Sequence, residues 1–371
     1  MAGGWKRYVT RSLAAVAFVT TSALLLCSNG RLRLTYRLFS RPGSHRSDIH
    51  GQKHSNTRLL PTNQTVGVDG DEFVRRLIDK SQKTFSPWKY SLACSKYKTG
   101  MARYRSLPLM ALASFPGSGN TWARYLIEGA TGVFTGSVYN DRGLADNGFY
   151  GETVSESSGR TLLQKTHGYT LLTEPTPSWS SRRRMVERHG RRAVVLIRNP
   201  YEALISLRNF AAGHLGYAAD KHFLGETWSS WVTLKANHWR DFYMDWLNMT
   251  SLAHVIHFEN LRHDPVSEMR RLLRFVGIPE NKGRLNCIEK YPEGRFRRTS
   301  SGRQIFHHRD VFSAEHRALL DSAIETVRTA LESGDHPPLP LARYKYYRPV
   351  QSRDGPGTFS GVSNTRRRGT G

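Results

Sequence analysis

An α/β fold with a central parallel sheet and flanking helices is what this sequence predicts, and three observations predict it. Short apolar runs alternate with longer segments of helical spacing between residues 109 and 331, the pattern of strands joined by helical crossovers. The first run breaks into a Gly/Ser turn, FPGSGNTW at 115–122, and then resumes with helical spacing. Two later runs end in polar or charged residues, Lys165 and His167 on one and Arg198 on the other, at the strand ends where open α/β sheets bind ligands.

Residues 109–114 read as the first strand and 120–131 as a helix, with Trp122, Tyr125, Leu126, Gly129 and Ala130 on one face. Residues 131–159 are Gly/Ser-rich, and a connection of that length inside a compact domain reads as a lid or binding loop. Further strands are predicted at 161–166, 193–197 and 253–258. Helices are predicted at 200–212, 226–247, 265–276 and 313–331; Asn199 caps the first of these and Pro200 opens it.

The flanks read differently. Lys6, Arg7 and Arg11 precede an uncharged stretch at 12–28, and Arg31, Arg33 and Arg37 follow it. A cleaved signal peptide would normally show a small-residue site and then neutral sequence, so an uncleaved signal anchor is the favoured reading. Its 17 residues lie at the short end of the spanning range. The predicted organisation is a cytoplasmic tail 1–11, a transmembrane signal anchor 12–28, a luminal stem 29–86, a folded domain 87–349 and a disordered basic tail 350–371. The stem carries the glycosylation sequon at Asn63 and a short helix at 71–83, and a second sequon lies at Asn248.

Lys and Arg outnumber Asp and Glu by 55 to 30, a formal charge of +25, which points to an anionic substrate or partner. Nucleic acid is disfavoured, because the arginine runs at 181–192 and 366–368 show no aromatic interleaving and no recognisable module. Of three cysteines, Cys27 lies in the apolar stretch, which leaves Cys94 and Cys287. In an oxidising lumen these two most simply form one disulfide, with two buried free thiols as the alternative. No Cys/His cluster has metal-ligand spacing, so no metal is expected.

A strand that feeds a small-residue turn and then a helix offers backbone N–H groups and a helix N-terminus to an anion. A nucleotide hydrolase would place lysine after Gly119, where this chain has Asn120 and Thr121. Lys165 and His167 alternate along their strand and project to one side, a cation beside an imidazole that suits transfer of an anionic group to a hydroxyl. Ser206, two helical turns past Asn199, returns towards Arg198 and makes a second phosphate site with it. Each signal alone has a bland reading: a tight turn, a surface pair, a capped helix. The acidic pair Asp69 and Asp71, which would suit a metal-dependent glycosyltransferase, is better explained as helix capping.

Taken in order, FPGSGNTW, KTH, RNPYEALIS, HFENLRHDP with MRRLLRFVGIP, and GRFRRTSSG resemble sulfotransferases that use 3′-phosphoadenosine-5′-phosphosulfate (PAPS). SFPGSGNTWARYLIEGATG, HLGYAAD and EGRFRR are most similar to the membrane-anchored WSC-domain-containing group, Golgi enzymes linked to sulfation of sialic acid. Three cysteines leave no room for WSC modules, so the resemblance covers the catalytic part alone. It implies a P-loop-like sulfotransferase fold, with Gly117, Ser118, Gly119, Asn120 and Thr121 around the 5′-phosphosulfate and Trp122 beside the adenine. It further implies Arg198, Ser206, Arg297 and Arg298 at the 3′-phosphate, His167 as general base, Lys165 at the leaving phosphate, and Glu259 as a structural residue. Many sulfotransferases carry lysine where this chain has Gly117, which leaves a binding-only protein as the alternative. The implied acceptor is a glycan or sialoglycoconjugate.

Overall fold

The structure is a computed structural model that describes residues 69–213, 217–294 and 310–348. Its centre is a five-stranded sheet of β1 (Ala111–Ser114), β2 (Gly136–Ser137), β3 (Gln164–Thr166), β4 (Arg192–Ile197) and β5 (Leu252–His257). The strand order is β2-β3-β1-β4-β5 and every pairing is parallel. Such a sheet must be covered on both faces, which is why β1 and β4 read as near-continuous apolar runs.

Register decides which face each residue serves. Leu112 pairs with Lys165 and Val194, so these three project together, while Ala113, Thr166 and Val195 project to the other side. On the first face Leu112, Val194, Leu196 and Ile256 share a core with α2 (Asn120–Thr131), α8 (Pro265–Val276) and α9 (Lys282–Lys290). On the second face the small Ala111 and Ala113 share a core with the bulky Trp239, Tyr243 and Trp246. Those three belong to α6 (Gly225–Met249), which packs with α5 (Pro200–Gly213) and α10 (Ala314–Ser333).

The folded body begins earlier than a stem ending at 86 allows. Helix α1 (Gly70–Leu77) is capped by Asp69, whose carboxylate accepts from Asp71 N at 3.1 Å, and it buries Phe73, Val74 and Leu77 in the first core. Asp71 lies 3.5 Å from Arg284 of α9. Capping therefore accounts for the acidic pair, and the helix stops at Leu77 rather than 83. Cys94 and Cys287 form a disulfide that ties the segment following α1 to α9.

The stretch 131–159 is not a free lid. Val133, Phe134, Thr135, Ser137, Phe149 and Glu152 in it are buried, and it contributes the edge strand β2 and the short helix α3 (Arg142–Asp146). Its polar composition hid elements that are paid for by tertiary contacts rather than by an apolar period. The second predicted strand shortens to Gln164–Thr166, because Leu162 N bonds instead to Phe134 O outside the ladder. Also unforeseen are α4 (Trp179–Glu187), which buries only Val186, and the six-residue α7 (Phe258–His263).

No helix among the described residues is long and apolar enough to cross a membrane. The expected anchor at 12–28, Asn63, Arg297, Arg298 and the tail 350–371 lie outside the described residues.

Candidate active site

The loop from β1 into α2 is held by its glycines. Gly117 and Gly119 have φ of +84° and +83°, a region that costs an L-residue with a Cβ. A Cβ on Gly117 would lie 2.4 Å from Ala203 O of α5, and one on Gly119 would lie 2.5 Å from the Phe258 ring. No lysine fits at 117 on this backbone, so glycine there belongs to how the loop packs on α5. Gly119 is the N-cap of α2 and no side chain caps it, which leaves first-turn N–H groups to serve an anion.

Two of the loop's side chains turn inward. Ser118 is fully buried with its hydroxyl 3.4 Å from Tyr243 OH, and Tyr243 in turn accepts from Phe115 N at 3.2 Å and donates to Leu196 O at 2.8 Å. Asn120 donates to Ser114 Oγ at 2.9 Å. What the loop offers a ligand is backbone, flanked by the half-exposed Thr121 and Trp122.

Arg198, at the end of β4, donates to Gly117 O at 2.8 Å and lies 4.3 Å over the Phe258 ring. Phe258 meets Trp122 edge to face at 5.6 Å, and Trp122 Nε1 donates to Pro292 O at 2.7 Å. Arg198 and Trp122 thus border the loop through one shared aromatic. Ser206 is half-exposed on α5, in the turn that receives Gly117. Glu259 is structural, as expected: its carboxylate accepts from Asn199 N at 2.9 Å, while Asn199 Oδ1 accepts from Tyr201 N and so caps α5. Burial pushes the Glu259 carboxyl up to about 7.

Lys165 and His167 lie on the α2 side of the sheet. His167 Nδ1 is 2.7 Å from Ser114 O, and a carbonyl only accepts, so Nδ1 carries the proton and Nε2 of the neutral ring keeps a lone pair. Burial first, and then the charge of Lys165, pushes the imidazole down to about 3. Ser114 Oγ, 3.3 Å from the same Nδ1, links the ring to Asn120. Lys165 is nine-tenths buried, forms no ion pair among the described residues, and is pushed down to about 8 by burial and by Arg124.

Behind it lies a buried ionic group. Arg124 of α2 pairs with Glu152, both with fully buried side chains, and bonds Thr135 Oγ1 at 2.7 Å. Glu128 receives Thr135 N at 3.0 Å, and burial pushes its carboxyl up to about 7. Sequence reasoning missed this group, Phe258 and Tyr139, whose hydroxyl accepts from His167 N at 2.7 Å; Phe258 was visible inside HFENL, whereas nothing local marks the others. No group of three or more His, Cys, Asp or Glu able to hold a metal occurs among the described residues. Asn248 is exposed on the last turn of α6.

Residues 164–301 match the family model of the sulfotransferase domain, a range that contains Lys165, His167, Arg198 and Ser206. A WSCD family member of Drosophila melanogaster is 38% identical over 203 residues, covering 53% of this chain and 59% of that protein. One of Aedes aegypti is 34% identical over 195 residues, covering 51% and 57%. The chain therefore spans less than two thirds of the length of the curated relatives it matches. Among solved structures, the mouse sulfotransferase SULT7A1 complexed with PAP shows 16% identity and a TM-score of 0.38 over 62% of this chain and 87% of that one. A sulfotransferase from Alicyclobacillus acidocaldarius shows 14% and 0.34 over 62% and 95%. Residues 164–301 thus resemble a sulfotransferase domain, and about half of the chain is similar to WSCD family members.

Proposed function

We propose that the protein is a Golgi membrane sulfotransferase, single-pass type II with a luminal catalytic domain. It moves a sulfuryl group from PAPS to a hydroxyl of a glycan, sialic acid being the first candidate. The observation that carries this reading is the convergence of His167 and Lys165, at the end of β3, with the uncapped N-terminus of α2 across the neighbouring strand β1. The acceptor class is what the sequence resemblance implies, and the disulfide between Cys94 and Cys287 supports an oxidising compartment.

The residues present fit the nucleotide. Two left-handed glycines bring backbone close to a phosphate, and Arg198 stands beside them with an aromatic pair to receive a base. When bound, PAPS supplies a sulfuryl group on a phosphate leaving group. Backbone N–H groups of 117–121 would hold the 5′-phosphosulfate; Arg198 and Ser206, with Arg297 and Arg298, would hold the 3′-phosphate; Trp122 and Phe258 would flank the adenine.

His167 Nε2 takes the acceptor hydroxyl's proton as the acceptor oxygen bonds to sulfur. The bond from sulfur to the phosphate oxygen breaks, and Lys165 balances the charge that the phosphate gains. A resting imidazole held near 3 is a weak base, but the positive neighbour that helps depress it is neutralised once an anion sits on Lys165. The share of the depression that comes from Lys165 is relieved in the loaded site, while the share that comes from burial remains.

The test is transfer of labelled sulfate from PAPS by the full chain to a panel of sialylated glycans, beside Lys165→Ala and His167→Ala. Transfer by the wild type and its loss in both variants is expected. Nucleotide binding with no transfer to any acceptor would favour a binding-only protein, and no nucleotide binding would sink both readings.

A further inference from the structure

We infer that Tyr139 is a positioning residue for the catalytic pair, an inference that rests on the transferase reading above. Edge strand β2 ends at Ser137, paired with Lys165, and Val138 N still donates to Lys165 O at 3.1 Å. In a parallel ladder the next rung would take the His167 N–H to a backbone carbonyl. The chain leaves the sheet instead, with Asn140 at φ +52°, and His167 N donates to the side-chain hydroxyl of Tyr139 at 2.7 Å. A phenol thus replaces a strand at the residue that carries the base.

The same side chain touches both catalytic groups. Its ring lies against the His167 imidazole with centroids 5.6 Å apart and planes 23° apart, and Lys165 Nζ stands 5.5 Å over its centre. His167 is then held at three points: Nδ1 by Ser114 O, the ring face by Tyr139, and the backbone N–H by the Tyr139 hydroxyl. Those contacts fix where Nε2 points, which is what proton abstraction requires. The ring also leaves the lysine a polarisable face in a place where burial disfavours its charge.

A space-filling role explains less. Tyr139 is partly buried, and one side of it borders a cavity of about 400 Å³ that Val138, Thr166, Gly168, Tyr169 and Arg182 also line, so packing alone does not account for its hydroxyl meeting His167 N. Its own amide bonds Ser137 Oγ at 3.1 Å, which fixes the turn that delivers the ring.

The experiment uses the full chain with 15N-labelled histidine, and compares wild type, Tyr139→Phe and Tyr139→Leu. Tyr139→Phe removes the hydrogen bond and keeps the ring, so kcat should fall about tenfold. Tyr139→Leu removes both, so kcat should fall on the order of 100-fold. In each variant KM for PAPS and the affinity for desulfated nucleotide should stay near wild type. The imidazole 15N signals of His167 should show the Nδ1–H tautomer in the wild type and a shift towards a mixed population in Tyr139→Leu. Unchanged kcat in both variants, or parallel loss of nucleotide binding, would overturn the inference. If the wild type transfers no sulfate the functional reading has failed, and the 15N arm still decides: identical His167 signals in wild type and Tyr139→Leu would reject a positioning role.

Discussion

The loop at 115–122 and the end of β3 meet across one pair of strands, yet they are built in opposite ways. The loop presents backbone: its glycines have no side chain, and Ser118 and Asn120 are turned inward to Tyr243 and Ser114. The end of β3 presents side chains, Lys165 and His167, and holds them with groups from elsewhere: Ser114 of β1, Tyr139 beyond β2, and Arg124 with Glu152 behind. An anion cradle can be made by a few consecutive residues; a placed base and cation cannot. The first region should therefore fail through loss of binding and the second through loss of turnover.

The largest expected effect is at the second region. His167→Ala should lower sulfate transfer by about 10²- to 10⁴-fold. Calorimetry with desulfated nucleotide should find its affinity unchanged, and a parallel loss of binding would erase the contrast. Beneath the same strand, Glu152→Gln removes the carboxylate paired with the buried Arg124, and denaturant unfolding should report a loss of about 3–5 kcal/mol. A change under about 1 kcal/mol would rank the pair with exposed ones. At the first region Arg198→Ala should weaken nucleotide binding by about 1.5–3 kcal/mol, measured by isothermal titration, if a charged hydrogen bond to phosphate is lost. The thermal midpoint should move little in comparison.

The smallest effect is a slope. Burial holds the Glu259 carboxyl near 7 when folded, above its ordinary value of 4.5, so between those pH values the folded chain binds more protons than the unfolded one. Glu259 thus costs stability as pH rises through this window. In Glu259→Gln, which can still accept from Asn199 N, the thermal midpoint relative to wild type should climb from pH 4.5 to 7 and then level off. A difference that is flat with pH would mean that burial does not set this carboxyl.

The same contrast explains what the sequence made legible. The strand at 193–197, the Asn199 and Pro200 helix start and the Gly/Ser turn each rest on neighbours in sequence, and the structure forms them with bounds shifted by a residue or two. The pair Lys165 and His167 was readable from alternation along one strand. Tyr139 was not, because its role depends on an edge strand of two residues that carries no period of its own. Arg124 and Glu152 likewise meet only after residues 131–159 fold back onto α2, and their charges read as exposed until that contact exists. The glycine at 117 looked like a missing lysine in the sequence; α5 packed against it shows that the backbone leaves no space for one.

One measurement tests the account most directly: a crystal structure of the full chain soaked with desulfated nucleotide. The 5′-phosphate should lie on the N–H groups of 117–121, with Lys165 Nζ within hydrogen-bond distance and His167 Nε2 facing the open side of that phosphate. A nucleotide bound elsewhere, or a 5′-phosphate turned away from Lys165 and His167, would contradict it.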